Sequence, residues 1–248
     1  MSMTAIYDAA PGAGRDRTLL VMLPGAKARA QDFVEHGFVR QIRERRLALD
    51  VVAVDANLGH YLERTFNTQL AHDIIGPALA GGNRRIWLMG ISLGGMGALT
   101  YAREHPAQID GVILIAPFLA TRGMIAEVTR AGGWSGWLPG IVKSDDDERQ
   151  LLAWIKAYRP GSAGMPDLHL GYGTDDIFAD ASKLLAQRLP AGHVVSIAGD
   201  HDWTTWSNLW QRLLERDLFG GDISPARATV PINGDDLMLG RASAPADS

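Results

Sequence analysis

The strongest constraint on the fold is a repeated alternation of short apolar runs with longer amphipathic segments. The apolar runs are continuous stretches rich in Val, Ile and Leu, without the alternation of apolar and polar residues that marks a half-exposed strand. Strands buried on both faces have this composition, as in a parallel sheet that helices cover on both sides. We therefore predict an α/β fold with a mostly parallel sheet of about six or more strands, and functional groups at the carboxyl ends of those strands.

The predicted elements follow one another as strand and helix along most of the chain. The predicted strands span residues 18–23, 50–54, 85–91, 111–116, 168–172 and 193–198. The predicted helices span residues 31–46, 63–79, 93–104, 177–189 and 204–218. This order suits the right-handed crossover connections that join neighbouring parallel strands.

Two stretches depart from this alternation. Residues 117–166 are too long for a simple crossover, and we interpret them as a small cap inserted into a single domain of residues 1–220. Residues 221–248 are polar and rich in Ala, Pro and Asp, which predicts a loosely ordered C-terminal tail.

Composition excludes several classes of function. The 248 residues include no cysteine, so disulfides, cysteine–metal sites and thiol catalysis are excluded. The 28 acidic and 24 basic residues give a net charge of −4. Nucleic-acid binding usually needs a concentrated positive charge, which this composition does not provide. No stretch approaches the ~18 consecutive apolar residues of a membrane span, and residues 1–14 lack the apolar run of a signal peptide. We expect a cytoplasmic protein with no nucleic-acid partner and no membrane span.

The motif that points to chemistry is Gly-x-Ser-x-Gly at residues 90–94, with Ser92 at its centre. It follows a predicted strand and opens a predicted helix, which is the context this motif requires. Glycines allow the sharp turn that pushes the serine hydroxyl out above the sheet. The alternative interpretation is a glycine-rich turn with an incidental serine. We predict that Ser92 is a nucleophile.

With this motif in place, the chain resembles the α/β-hydrolase family over roughly residues 18–218. The sequence Leu-Pro-Gly-Ala at residues 23–26 stands where that family places one side of its oxyanion hole. The resemblance implies that the backbone N–H groups of Ala26 and Leu93 are the two oxyanion donors. Pro24 is a departure, because the family often has histidine at this position.

The resemblance also implies a catalytic acid after the fifth predicted strand and a catalytic histidine after the sixth. Asp175 and Asp176 both follow Gly173, and a Gly-x-x-Asp spacing favours Asp176, with Asp175 as the alternative. One of these two aspartates would then be only a helix N-cap. His201 follows the last predicted strand, so the chain order Ser92, Asp176, His201 matches the order of the family.

The function that the resemblance implies is that of a serine hydrolase that cleaves a small-molecule ester through an acyl-enzyme intermediate, with no cofactor and no metal. The alternatives on the same fold are a thioesterase, a peptidase, and another acyl-transfer, lyase or haloperoxidase activity. A non-catalytic ligand-binding protein is a further alternative. Trp134, Trp137, His60 and Tyr61 are predicted to contact the substrate, and ordinary packing is the alternative for each.

Overall fold

The structure is a computed structural model that describes residues 3–12, 17–56, 58–216 and 218–219, so the predicted tail at 221–248 lies outside the described residues. Within these ranges, seven strands form one sheet in the order β1-β3-β2-β4-β5-β6-β7. The strands are β1 (Ala5–Asp8), β2 (Arg17–Leu23), β3 (Leu49–Val54), β4 (Asn83–Ile91), β5 (Gly111–Ile115), β6 (Asp167–Gly173) and β7 (Val194–Ile197). β1 pairs antiparallel with β3, and the other neighbours pair in parallel. The predicted α/β class and mostly parallel sheet are confirmed.

Helices connect the strands. They are α1 (Ala30–Glu35), α2 (Phe38–Glu44), α3 (Leu58–Leu62), α4 (Phe66–Leu70), α5 (Gly76–Ala80), α6 (Leu93–Glu104), α7 (Arg122–Arg130), α8 (Asp147–Ala157), α9 (Ala179–Ala186) and α10 (Trp203–Leu214). The predicted helix at 31–46 is divided into α1 and α2, because Gly37 adopts a left-handed φ of 78° between them. Among the described residues, no helix combines the length and the apolar composition that crossing a bilayer requires.

The central residues of β2 to β5 are apolar because both faces of the sheet are buried there. Successive side chains of a strand point to opposite faces. On β4, Leu88 lies in the core on one face, whereas Trp87 and Met89 lie in the core on the other. β1 was not predicted, because it is a short edge strand with no fully buried residue, and its Tyr7 is 67% exposed.

The segment between β5 and β6 contains α7 and α8. The buried side chains of α8, which are Leu151, Leu152 and Ile155, lie in the same apolar core as those of α6. α8 therefore packs against the sheet as a crossover helix does, and the interpretation of residues 117–166 as a cap remains a prediction.

Candidate active site

Ser92 lies at the turn between β4 and α6, at the carboxyl edge of the sheet. Its φ of 52° and ψ of −117° are strained for a residue with a side chain, at a cost of about 1–3 kcal/mol. A Cβ atom at Gly90 would stand 2.3 Å from the carbonyl oxygen of Gly94, and one at Gly94 would stand 2.2 Å from the carbonyl oxygen of Leu23. Both glycines of the motif are thus required by the close approach of backbone atoms.

Three side chains from distant parts of the sequence form a continuous hydrogen-bonded chain at this edge. His201 Nε2 lies 3.0 Å from Ser92 Oγ, and His201 Nδ1 lies 2.7 Å from Asp176 Oδ2. The loop after β6 carries Asp176, and the loop between β7 and α10 carries His201. Parallel strands bring these loops together because their carboxyl ends meet at one edge.

The hydrogen bonds assign the tautomer of His201. A carboxylate can only accept hydrogen bonds, so the proton between Asp176 and His201 belongs to Nδ1. Nε2 is then left with a lone pair and accepts from the hydroxyl of Ser92. In this arrangement the imidazole is ready to take the proton of the serine hydroxyl.

The neighbours of His201 hold its ring and shield its partner. The rings of Phe178 and Trp206 meet the imidazole edge to face, with centroids 5.0 Å and 4.9 Å away. The side chain of Asp176 is fully buried, and its second oxygen accepts from the backbone N–H of Phe178 at 2.7 Å. Both carboxylate oxygens of this buried acid are therefore satisfied, which fixes the carboxylate behind the imidazole.

Comparison with known proteins bears on the fold that holds these residues. A family model described as serine aminopeptidase, S33, matches residues 72–145, which include Ser92. The solved structure of S-formylglutathione hydrolase (FrmB) from Staphylococcus aureus is 12% identical, with 86% of this chain and 95% of that chain covered and a TM-score of 0.56. Est1E from Butyrivibrio proteoclasticus is 14% identical, with 86% and 93% covered and a TM-score of 0.55. An S-formylglutathione hydrolase from Agrobacterium tumefaciens is 16% identical, with 86% and 88% covered and a TM-score of 0.54.

The chain has the α/β-hydrolase fold. Comparison with curated proteins finds no match. The resemblance to the α/β-hydrolase family, which rested on the Gly-x-Ser-x-Gly turn at Ser92, is thus confirmed for the fold. The roles of the individual residues remain predictions.

Asp175 has a different set of partners in this α/β-hydrolase fold. Its Oδ2 accepts from the backbone N–H of Gly199 at 3.2 Å and from the hydroxyl of Thr174 at 3.3 Å. These contacts join the loop after β6 to the loop after β7. The structure thus pairs His201 with Asp176, and gives Asp175 a loop contact one residue away.

The two predicted oxyanion donors lie on either side of Ser92. Leu93 is the first residue of α6, and the first N–H groups of a helix have no acceptor within the helix. Gly25 approaches the serine so closely that a Cβ atom there would lie 3.4 Å from Ser92 Cβ, and Ala26 follows it in an exposed turn. The oxyanion role of Ala26 and Leu93 remains a prediction.

Trp134 and Trp137 lie in the apolar core and are 5% and 1% exposed. The indole N–H of Trp134 donates to the carbonyl of Leu184, and that of Trp137 donates to Glu127. Glu127 also binds the guanidinium of Arg149, and these hydrogen bonds lower its pKa to about 2. Both indoles pack and anchor the segment between β5 and β6, which is the packing alternative of the sequence analysis, and a substrate contact for either indole remains a prediction.

His60 and Tyr61 belong to α3, beside the helix that follows Ser92. Tyr61 stacks on Phe66 at 4.6 Å, and burial raises the pKa of its hydroxyl. It lines a cavity of about 170 Å³ together with Phe66 and Met96 of α6. His60 is half-buried, and its carbonyl accepts from the backbone of Thr65. A substrate contact for either residue remains a prediction.

The residues that the sequence analysis missed are aromatic neighbours of the Ser92–His201 pair. Phe178 touches His201 and lines a cavity of about 550 Å³ between α7 and the start of α9. Phe118 packs edge to face on Phe178, and its N–H donates to the carbonyl of Ser92. A cavity of about 590 Å³ lies between β7 and α10. Neither this cavity nor the two described above is lined by Ser92, Asp176 or His201, and of the three only the cavity of about 550 Å³ has a lining residue in ring contact with His201. The sequence feature that could have identified Phe178 as a neighbour of His201 is its position two residues after Asp176.

Proposed function

We propose that this protein is a serine hydrolase that cleaves a carboxylic ester, with Ser92 as nucleophile, His201 as general acid and base, and Asp176 as the residue that orients His201. The observation that carries the proposal is the unbroken hydrogen-bonded chain from Asp176 through His201 to a serine held at a strained turn. A nucleophile, a base within reach and a third group that orients the base are the geometric requirements of this chemistry.

Acylation begins when Ser92 Oγ attacks the carbonyl carbon of the ester and its proton passes to His201 Nε2. The carbonyl oxygen becomes an oxyanion, which the N–H groups of Ala26 and Leu93 stabilise by about 3 kcal/mol each. The tetrahedral intermediate then collapses. The bond to the alkoxide breaks, and His201 returns the proton to the departing alcohol.

Deacylation repeats the sequence with water. His201 Nε2 takes a proton from water while the water oxygen attacks the acyl carbon. The bond to Ser92 Oγ then breaks, the serine recovers its proton from His201, and the carboxylic acid leaves. Asp176 stabilises the imidazolium in both halves without becoming protonated itself.

The charges that line the cavity bordered by Phe178 suit an ester better than an aminopeptidase substrate, the activity in the description of the matching family model; the exposed Asp200 next to His201 lies outside that lining. An aminopeptidase must bind a free ammonium group, for which an unpaired carboxylate is the natural partner. The cavity that Phe178 lines carries Arg122 and Arg130, and its one acid, Asp180, already pairs with Lys183. Similar structures include a ferulic acid esterase and a monoacylglycerol lipase.

The test is fluorophosphonate labelling combined with a panel of p-nitrophenyl esters, acyl-CoA thioesters and aminoacyl p-nitroanilides. We expect wild type to be labelled and to hydrolyse esters fastest. Ser92→Ala should abolish labelling and lower kcat by roughly 10⁶-fold, the scale of nucleophile removal in serine hydrolases.

The matched control is Ser162→Ala, because Ser162 is exposed in the loop between α8 and the amino end of β6, whereas Ser92 lies at the carboxyl edge of the sheet. This control should label and turn over like wild type. Labelling that persists in Ser92→Ala would show that another residue is the nucleophile, and faster cleavage of the anilides would favour the peptidase.

A further inference from the structure

The cavity beside His201 is built from two helices. α7 forms one wall, and the loop before α9 together with its first turn forms the other. The lining residues of α7 are Arg122, Ile125, Ala126, Thr129 and Arg130, and those opposite are Ile177, Phe178, Asp180 and Ala181. Phe178 lies between this space and the reaction centre, because it lines the cavity and its ring also touches His201, whereas Ser92, Asp176 and His201 do not line the cavity.

The spacing of the α7 residues determines how charge and apolar surface are distributed along the cavity. Positions separated by three and four residues lie on one face of a helix. Arg130 follows Arg122 by eight positions, which corresponds to about 12 Å along the helix axis at 1.5 Å per residue. The middle of this wall is apolar, since Ile125 and Ala126 lie between the two arginines. The wall is therefore apolar at its centre and positively charged at both ends.

The opposite wall is also apolar near the reaction centre. Ile177 is 58% exposed, and the half-buried Phe178 follows it. Exposed apolar surface next to a catalytic group is typical of a site that a ligand covers.

The two arginines are free to bind a ligand. In the part of the chain that the structure describes, neither Arg122 nor Arg130 has an ion-pair or hydrogen-bond partner, and both are exposed. Asp180, the acid on the opposite wall, forms an ion pair with Lys183 at 3.1 Å. The cavity thus has an uncompensated positive charge, and arginine is well suited to bind carboxylate or phosphate groups.

We propose that this cavity selects amphipathic esters in which an apolar chain joins the ester group to a remote anionic group. This inference rests on the proposed function of Ser92 and His201. The ester carbonyl lies at Ser92, the chain lies against Ile125 and Phe178, and the anion lies at Arg122 or Arg130. Neutral esters of the same length lack the charged contact.

The kinetic test compares esters that differ only in the remote charge. One pair is p-nitrophenyl hydrogen suberate against p-nitrophenyl octanoate, which places the anion on the acyl side. The other pair is 8-acetoxyoctanoate against octyl acetate, which places it on the alcohol side. We expect kcat/KM to be about tenfold higher for the anionic member of at least one pair. The preference should fall with added salt, because salt screens exposed charges.

The variants test whether the two arginines cause the preference. The double variant Arg122→Gln/Arg130→Gln should lower the ratio of anionic to neutral kcat/KM about tenfold, and the double lysine variant should retain part of it. Arg40→Gln is the control, because Arg40 is exposed on α2, whose buried residues pack on the other face of the sheet. No preference in either pair, a preference that survives the double glutamine variant, or an equal loss on both members of a pair would overturn the inference.

A binding measurement separates this inference from the proposed function. Calorimetry on Ser92→Ala compares monomethyl suberate with dimethyl suberate, neither of which that variant should hydrolyse. Tighter binding of the monoanion that disappears in the added double glutamine variant supports the anion site even if no ester is a substrate. Equal binding of the two compounds would overturn the inference while leaving the proposed reaction intact.

Discussion

The two ends of β6 carry the same residue types in different arrangements. At its amino end, Asp167 lies 3.0 Å from His169 Nε2 and 3.3 Å from His193 Nδ1. Beyond its carboxyl end, Asp176 lies 2.7 Å from His201 Nδ1. Each end thus joins a carboxylate to imidazole, but only the carboxyl end brings a serine hydroxyl to the free ring nitrogen.

The difference shows that ring orientation decides what a histidine–aspartate pair can do. The rings of His169 and His193 stack at 4.2 Å with 14° between their planes, and His193 Nδ1 also lies 3.0 Å from the carbonyl of Leu168. A metal ion binds imidazole in the plane of the ring, and one ion cannot lie in the planes of two stacked rings. Although these three side chains bring potential ligand atoms within 4.8 Å of one another, their geometry is that of a contact between β6 and the start of β7.

The largest expected effect comes from removing one histidine at each end. His201→Ala should lower kcat roughly 10⁶-fold, because it removes the base that acts together with the nucleophile. His169→Ala should leave kcat within severalfold and lower the free energy of unfolding by about 2 kcal/mol, because a buried hydrogen-bonded ring is lost. Ester hydrolysis and urea denaturation measure the two effects. A larger loss of activity from His169→Ala would reverse the assignment of the two ends.

A smaller effect is expected from the neighbouring aspartates. Asp176→Asn should lower kcat by 10³–10⁴-fold, because an amide at this position permits the wrong tautomer of His201. Asp175→Asn should cost less than about tenfold, since its partners are the loop contacts with Gly199 and Thr174. Asp167→Asn is the control at the amino end and should leave the pH profile of kcat unchanged. If Asp175→Asn has the larger effect, the hydrogen-bonded pairing in the structure is not the catalytic one.

The smallest effect concerns one glycine at each edge of the sheet, Gly90 near the carboxyl end of β4 and Gly192 just before β7. Gly90→Ala should destabilise the protein by about 3 kcal/mol, because its Cβ atom would overlap the backbone of Gly94. Gly192→Ala, next to His193, should be neutral or stabilising by up to about 1 kcal/mol, since a Cβ atom there meets nothing within 4 Å and the unfolded chain loses freedom. Thermal or urea denaturation measures both changes. Equal stability of the two variants would show that the Ser92 turn tolerates a side chain.

Much of the fold follows from local pattern. The apolar runs within β2 to β5 were predictable because strand segments covered on both faces are continuous apolar stretches. β1 and the break at Gly37 were not predictable, because an edge strand has little apolar signal and a left-handed glycine interrupts a helix without changing its periodicity. The burial of Trp134 and Trp137 was also not predictable, since composition does not show which way an indole points.

By itself, the sequence determined the Gly-x-Ser-x-Gly turn and the chain order of Ser92, Asp176 and His201, because both depend on residue type and on position relative to a strand. The tertiary structure decided that Asp176 and not Asp175 is hydrogen-bonded to His201. It also decided that Phe178 lies between His201 and a cavity lined by two arginines. His201 and Ser92 are 109 residues apart, so no local signal records their distance. Side-chain direction at a loop depends on the packing of several elements at once, and only the folded chain brings those elements together.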